Sequence, residues 1–316
     1  MLVEEKCRLP AMRRVIVIGS TGFIGKSVCR ALRDANVSVI GVSRGSGADQ
    51  RIDACCEAEL TRAFQGANCV VNLAFMRDQS DQKNLEAVRT IVRSCKSAGV
   101  DRLVHCSSAD VAGRARDDVV DESTVCAPKT RYGILKLALE SEAKTFLEFG
   151  DVVVLRPTAT FGPEGYMLSG LCNDIVHRCR TRNTLRAIAF GNRSMNLVTV
   201  ENVAAAVSFV SLFHEQFNGS AFFISDDDVP ENDFATVYAV LQEATIGLKP
   251  QRTWVKSPSW ALALVLRILG RNCVNPMVRY SGKRLLDMGC PRPRNFLDAV
   301  RDYGRWYAQT ARPSRA

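Results

Sequence analysis

Thr130-Arg-Tyr-Gly-Ile-Leu-Lys136 sets a tyrosine and a lysine four residues apart, one helical turn, so both side chains share a face. A phenol beside an ammonium is a proton donor suited to reducing a carbonyl, because the cation favours phenolate and draws the phenol's pKa down. Far upstream, Val15-Ile-Val-Ile-Gly-Ser-Thr-Gly-Phe-Ile-Gly25 reads as a buried strand turning through three glycines into a helix. Such a turn brings backbone amides and a helix N-terminus against negative charge, which is how a dinucleotide pyrophosphate is held. The spacing is GxxGxxG, not the commoner GxGxxG, but the physical demand is the same. Arg102-Leu-Val-His-Cys-Ser-Ser108 ends a third strand-like run in two serines, where a doubly wound sheet opens its ligand crevice. A serine hydroxyl there orients a substrate carbonyl while Tyr132 donates the proton.

The run Val39-Ile-Gly-Val-Ser-Arg44 ends in Ser43 and Arg44 and offers no carboxylate. An acidic residue at this point bonds the ribose 2′-hydroxyl of NAD, whereas a basic one accommodates the 2′-phosphate of NADP. Arg44 therefore predicts NADP, with NAD as the alternative.

These residues need elements to hold them. From residue 14 to about 156, short β-branched runs alternate with helical periodicity, the mark of a parallel sheet covered on both faces. The predicted strands are Arg14–Ile18, Ser38–Val42, Cys69–Leu73, Arg102–Cys106 and Val152–Leu155. Helices are predicted over Phe23–Asp34, Glu57–Phe64, Lys83–Ala98 and Tyr132–Phe149, with Gly99 closing the third. After Gly162-Pro163 the alternation is lost. A strand at Leu197–Val200, a helix at Glu201–Leu212 and a last strand at Ala221–Ile224 follow. The expected architecture is α/β: a Rossmann-type doubly wound parallel sheet with a smaller, mostly helical substrate lobe. The sheet domain takes 12–162 plus about 196–226, the lobe 163–195 plus 227–316, and residues 1–11 form a tail.

A chain of 316 residues with 47% hydrophobic and 24% charged residues is that of a folded enzyme, not a disordered chain. No apolar run reaches the roughly 20 residues of a membrane span; Trp260–Leu269 is too short and carries Arg267. The net charge of +9 is scattered, with short clusters at Arg178–Arg186 and Arg292–Arg294. A nucleic-acid binder would show a concentrated stripe, so a phosphate-bearing cofactor and an anionic substrate fit better. The twelve cysteines form no zinc-like pair. They read as reduced thiols of a cytoplasmic protein, with Cys69 and Cys106 in strands and Cys55-Cys56 as buried packing. His105, His177 and His214 lack ligand spacing, so no metal is expected. Asp226-Asp-Asp228 reads as a solvated loop before a helix at Asn232.

With these motifs in view, the chain resembles an extended short-chain dehydrogenase/reductase of the NAD-dependent epimerase/dehydratase group. The resemblance rests on Gly19–Gly25, Asp53, Asn72-Leu-Ala74, Asn84, Cys106–Gly113, Tyr132–Lys136, Leu155–Pro163, Asn196–Ala204 and a closing Trp306-Tyr. It implies Ser108, five residues before Gly113, as the catalytic Ser/Thr beside Tyr132 and Lys136. It also implies cofactor contacts from Gly19, Thr21, Gly22, Phe23, Ile24, Gly25, Arg44, Asp53, Leu73, Ala74, Asn84, Tyr132, Lys136, Pro157 and Thr158. Substrate contacts are implied for Phe75, Ser108, Asp110, Thr160 and Arg193.

The departures bear on the substrate. Sugar 4,6-dehydratases of this group carry Asp-Glu after the catalytic Thr, whereas this chain has Ala109-Asp110, so the dehydratase acid is missing. Met195 stands where nucleotide-sugar epimerases often place an Arg, with Arg193 nearby, and the loop between Ala74 and Asn84 is short, which predicts an open entrance. The expectation is an NADP(H)-dependent oxidoreductase that reduces a keto group, such as the 4-keto group of a nucleotide-activated deoxysugar. A nucleotide-sugar epimerase with tightly held NAD, a dehydrogenase of sterol-like ring alcohols, and a non-catalytic NADP-binding redox sensor are the alternatives. A small-molecule substrate is the expected partner, and the resemblance implies a homodimer.

Overall fold

The computed structural model describes residues 13–113, 118–177, 191, 193–248, 268 and 277–310. In chain order the strands are β1 (Arg14–Ile18), β2 (Ser38–Ser43), β3 (Gln50–Arg51), β4 (Cys69–Asn72), β5 (Arg102–Cys106), β6 (Val119–Val120), β7 (Asp151–Pro157), β8 (Ala159–Phe161), β9 (Leu197–Thr199), β10 (Ala221–Ile224) and β11 (Arg279–Tyr280). The helices are α1 (Phe23–Asp34), α2 (Glu57–Phe64), α3 (Asp81–Ala98), α4 (Arg131–Lys144), α5 (Ser169–Val176), α6 (Val200–Leu212), α7 (Phe234–Ile246), α8 (Lys283–Asp287) and α9 (Phe296–Thr310).

Seven strands pair in parallel in the order β10-β7-β5-β4-β1-β2-β3. The chain builds outward from β1 to β3, then returns to the other side of β1 and continues through β4, β5 and β7 to β10. This reversal leaves a crevice beyond the C-terminal ends of β1 and β4, the place where such sheets bind ligands. Strand faces follow the two-residue period. Ile16, Val70, Leu103 and Val152 pack under α2, α3 and α4, while Val15, Val17, Val71 and Val153 pack under α1 and α6. A third core joins Phe161, Leu171, Phe234, Val237, Val300 and Tyr303, mostly from α5, α7 and α9. Trp306 lies against Tyr303, with ring centroids 5.4 Å apart.

Several boundaries differ from the sequence expectation for local chemical reasons. Helix α3 starts at Asp81 because the Ser80 hydroxyl accepts the Lys83 amide at 3.2 Å as its cap. Helix α4 ends at Lys144, not Phe149: the Thr145 hydroxyl donates to the Glu142 carbonyl at 2.7 Å, and a 3₁₀ turn over Thr145–Glu148 follows. Strand β7 is longer than expected. The two-residue strands β3, β6 and β11, and the three-residue β8 that pairs with the expected β9, carry too little pattern to be read from sequence.

Two expectations are corrected. Asp226 and Asp227 are buried, not solvated, and only Asp228 is exposed. Asp226 accepts the Thr199 amide and the Asn202 side chain, while Asp227 accepts Ser194, Asn196, Asn232 and the Tyr280 amide. These bonds satisfy both buried carboxylates, and burial still pushes both above the usual carboxylate range. The following helix starts at Phe234 with Asp233 as its cap. Cys55 and Cys56 are half-buried rather than buried, and Cys55 packs against the first core; Cys69 and Cys106 are buried in their strands. The N-terminal tail and nearly all of Trp260–Leu269 lie outside the described residues. Among those described, no helix is long and apolar enough to cross a membrane.

A buried ion pair closes the sheet's lower edge. The Arg102 Nε donates to Asp151 at 2.8 Å, and its other nitrogens donate to the carbonyls of Val210, Phe213 and Glu215. Asp151 also accepts the amides of Phe217 and Asn218. Asp151→Ala leaves the guanidinium charge buried without its partner, so it should cost about 3–5 kcal/mol, read as a lower urea midpoint at unchanged slope; a loss under about 1 kcal/mol would show that water replaces the carboxylate.

Candidate active site

The Gly19–Gly25 turn is formed by backbone crowding. Gly19 has φ +83°, and its amide donates to the Val42 carbonyl at 2.8 Å, tying the turn to β2. A Cβ on Gly25 would lie 2.1 Å from the Gly19 carbonyl oxygen, closer than any real contact. Gly22 caps α1 without a side chain, so the helix's first amides receive no side-chain acceptor. The buried Ser20 hydroxyl in the same turn has no hydrogen-bond partner in the protein. A glycine cradle, uncapped amides and an orphaned hydroxyl are what a bound pyrophosphate requires, so these residues fit a dinucleotide. Thr21, Phe23 and Ile24 lie in the same turn and first helical residues.

The ribose end is built by a hydrogen bond of 2.7 Å between the Thr21 and Ser43 hydroxyls, and Ser43 also accepts the Gly45 amide. Arg44 is exposed, and its carbonyl accepts Arg51 Nε at 3.0 Å, which brings a second guanidinium to this edge. A carboxylate that the sequence reading missed also returns here. Asp49 Oδ2 accepts the Gly41 amide at 2.7 Å and Arg33 at 2.8 Å. Its signal is weak, since it sits in a loop after the strand. Asp53, expected among the cofactor contacts, accepts the Cys55 amide.

Along β4, the Leu73 amide donates to Ile18 O, and the Ala74 amide donates to the Asn72 side chain. Asn84 is buried with its amide group spent on its own loop: it accepts from Met76 N and donates to Met76 O and Ser80 O. Its role in this geometry is to fix the loop Leu73–Ser80. At the end of β7, Pro157 precedes Thr158, whose amide donates to Ile224 O at 3.0 Å, while Thr160 Oγ1 donates to Thr158 O.

The reacting groups come from two elements. The Thr130 hydroxyl caps α4 through the Gly133 amide at 3.0 Å, which starts the helix one residue before Tyr132. A Cβ on Gly133 would meet the Asp110 carbonyl at 2.8 Å, so glycine lets α4 close on the Ser108–Ala112 turn. Ser108 Oγ accepts the Asp110 amide at 3.2 Å, and its hydroxyl lies near enough to the Tyr132 phenol to oppose the rise of its pKa. Lys136 is buried, and its Nζ donates to the Cys106 carbonyl at 3.1 Å. Phe75 sets its ring edge-on to Tyr132 at 5.3 Å, and the Lys136 ammonium lies 4.6 Å from the Phe75 centroid.

The electrostatics differ from the sequence reading in one respect. Lys136 was expected to lower the Tyr132 pKa. Burial instead pushes the phenol up to about 12, with the Ser108 hydrogen bond opposing it. Lys136 stands above the Phe75 ring and bonds a carbonyl, and burial lowers its own pKa. Burial raises the Asp110 carboxyl. His105 is fully buried, bonded to Asn72 at 3.2 Å and pushed down to about 3 by burial, so it is neutral. The neighbouring Ser107 hydroxyl is buried without a partner.

Arg193 is buried away from water, and its carbonyl accepts the Phe234 amide. The basic residues Arg178, Arg180, Arg182 and Arg186, expected within the substrate lobe, lie outside the described residues. Besides Asp49, the pair Arg77 and Tyr166 was missed. Arg77 holds its guanidinium 4.6 Å over the Tyr166 ring and donates to the Tyr166 hydroxyl. Both sit on loops without periodic pattern.

Comparison with known proteins agrees with this geometry. Residues 15–223 match the NAD dependent epimerase/dehydratase family. The 2-alkyl-3-oxoalkanoate reductase of Shewanella oneidensis is 25% identical over 91% of this chain and 81% of its own. Human sterol-4-alpha-carboxylate 3-dehydrogenase, decarboxylating, is 27% identical over 71% of this chain and 65% of its own. Among solved structures, the dTDP-glucose 4,6-dehydratase of Bacillus anthracis in complex with NAD superposes with a TM-score of 0.69 at 15% identity, covering 95% of this chain and 97% of that one. The chain belongs to the NAD dependent epimerase/dehydratase family and is an NAD(P)-dependent oxidoreductase of the extended short-chain dehydrogenase/reductase type.

Proposed function

We propose that this enzyme interconverts a ketone and a secondary alcohol with NADP(H), working as a keto reductase. The observation that carries this reading is the buried Lys136 ammonium 5.9 Å from the Tyr132 ring centroid, on a helix that closes on the Ser108–Ala112 turn. When bound along Gly19–Gly25, the nicotinamide cofactor supplies the two electrons and one hydrogen that the carbonyl carbon takes up. The other hydrogen comes from the protein. Ser108 holds the carbonyl oxygen next to the Tyr132 hydroxyl, and Tyr132 gives its proton to that oxygen as negative charge develops there. Lys136 then stabilises the phenolate until solvent reprotonates it. Phe75 fixes the phenol's orientation from the side. Retention of both Tyr132 and Lys136 argues against a non-catalytic sensor.

Two substrate classes have separate support. A nucleotide-activated keto sugar rests on the basic segment outside the described residues and on a fold shared with a sugar-nucleotide enzyme. A 3-oxo acid rests on the names of the two sequence relatives. In 2-alkyl-3-oxoalkanoate and in sterol-4-alpha-carboxylate oxidised at carbon 3, a carboxylate sits on the carbon next to the reacting one. We take the 3-oxo acid as the substrate class, and hydrophobic bulk beyond the acid is compatible with it. A panel of 2-alkyl-3-oxo acids, neutral cyclic ketones and nucleotide-linked keto sugars, followed by NADPH oxidation, tests the choice. Tightly held NAD in the purified protein, together with sugar epimerisation, would replace the reductase by the epimerase.

Tyr132→Phe keeps the ring and removes the proton donor, so kcat should fall about 100-fold or more while NADPH affinity holds. Near wild-type turnover would remove Tyr132 from the chemistry. The pH dependence has a definite sign. With its pKa raised to about 12, Tyr132 is a phenol through the neutral range. Reduction uses that phenol and should not rise with pH; alcohol oxidation uses the phenolate and should rise by about tenfold per unit from about pH 6 to 9. Initial rates in both directions decide it, and parallel profiles would contradict the assignment. For the cofactor, Arg44→Asp should weaken NADPH binding at least about tenfold while sparing NADH, since charge-assisted bonds to a phosphate are lost. An unchanged NADPH-to-NADH ratio would make Arg44 a surface charge.

A further inference from the structure

Acidic and cationic groups both surround Tyr132. Lys136 is buried beside the phenol. Arg77 stands close enough for its charge to lower the pKa of both Tyr132 and Lys136. Asp110 and Cys106 act on Tyr132 in the opposite sense to Arg77, and burial raises both. Asp78, next to Arg77 in sequence, is exposed, and its favourable cations are Arg44 and Lys83. Among the described residues, Arg77 makes no ion pair with a carboxylate, whereas Arg89, Arg93 and Arg131 on the same side of the sheet each have one. Two cations near one reaction centre repel each other unless an anion arrives between them.

The guanidinium is also held in place. It leaves a loop whose Met76 backbone is bonded on both sides by the Asn84 amide and whose Phe75 ring packs on Tyr132. Its partner, Tyr166, leaves a loop fixed by the Tyr303 hydroxyl on Gly165 O at 2.8 Å and by a Lys26–Glu164 ion pair of 2.6 Å to α1. Arg77 thus joins the loop over the proton donor to the loop over the phosphate-binding helix. Stacking on Tyr166 occupies one face of the guanidinium and holds its planar donor fork in a set orientation, which suits bidentate capture of a carboxylate.

We propose that Arg77, stacked on Tyr166, is the carboxylate-binding residue of this site and selects ketones that carry a carboxylate beside the reacting carbonyl. The inference rests on the 3-oxo acid reading above and names the residue that enforces it. It separates acid from ester at the same carbonyl: the ester offers no charge to the guanidinium, and Tyr132 and Ser108 treat both alike.

The test compares 2-methyl-3-oxobutanoate with its ethyl ester, using the full chain, NADPH, and Arg77→Gln, Arg77→Lys and Tyr166→Leu variants. Binding of 2-methyl-3-hydroxybutanoate and its ester to the NADP-loaded protein is measured by calorimetry alongside turnover. Arg77→Gln should lower kcat/KM for the acid about 30-fold, through KM, with the ester changed less than about threefold and NADPH affinity unchanged. Arg77→Lys should restore part of the loss because charge returns without the fork, and Tyr166→Leu should show a smaller loss of the same kind. Equal loss on acid and ester, or a loss traced to weaker NADPH binding, would overturn the proposal and make Arg77 a loop brace or a cofactor contact. Wild-type protein that binds acid no more tightly than ester would overturn it as well. Preferential, Arg77-dependent binding of the acid without reduction of either ketone would leave the anion site standing and remove the keto-reductase reading.

Discussion

The active edge of this enzyme depends on the approach of two backbone segments at Gly19 and Gly25, where no side-chain atom fits between a carbonyl and the next helical turn. That closeness aims the start of α1 at the sheet's crevice and leaves its amides and the Ser20 hydroxyl without protein partners. The same turn is bonded to β2 through Val42, so the phosphate end and the ribose end are one rigid unit. A methyl group at position 25 would force the helix away and move every contact downstream of it. Gly133 plays the equivalent part at α4, letting the helix that carries Tyr132 and Lys136 close on the Asp110 backbone.

Polar groups sunk into the protein hold the parts in register. The pair Arg102–Asp151 ties the lower ends of β5 and β7 to the segment after α6. Arg156 and Glu140 join β7 to α4 through two hydrogen bonds of 3.0 and 2.7 Å. Asp226 and Asp227 bind the strand β9, the start of α6 and the segment at Tyr280 around one pair of carboxylates. Breaking any of these leaves a buried charge or donor unpaired, a cost of several kcal/mol, and that cost makes the arrangement specific.

The proton chemistry follows from burial more than from pairing. Partial removal from water raises Tyr132, which is 37% exposed, and burial lowers Lys136.

Much of this was legible in the residues themselves. The GxxGxxG turn, the Tyr132–Lys136 spacing, the Ser107-Ser108 strand end and the core strands β1, β4 and β5 are local patterns, imposed by a tight turn, a helical repeat and a buried strand. Asp226 and Asp227 read as solvated because acidic runs are usually exposed; only the fold brings Asn196, Asn202 and Asn232 around them. Asp49, Asn84 as a loop clamp, Phe75 on Tyr132 and Arg77 on Tyr166 escaped for a related reason. Their partners lie on other elements, and loops carry no period that says which way a side chain turns. The sequence determined the sheet, the glycine turn before α1 and the shared helical face of Tyr132 and Lys136, because backbone sterics and helical geometry act over a few residues. The tertiary structure alone decided which charges face the crevice, because that depends on how distant loops pack.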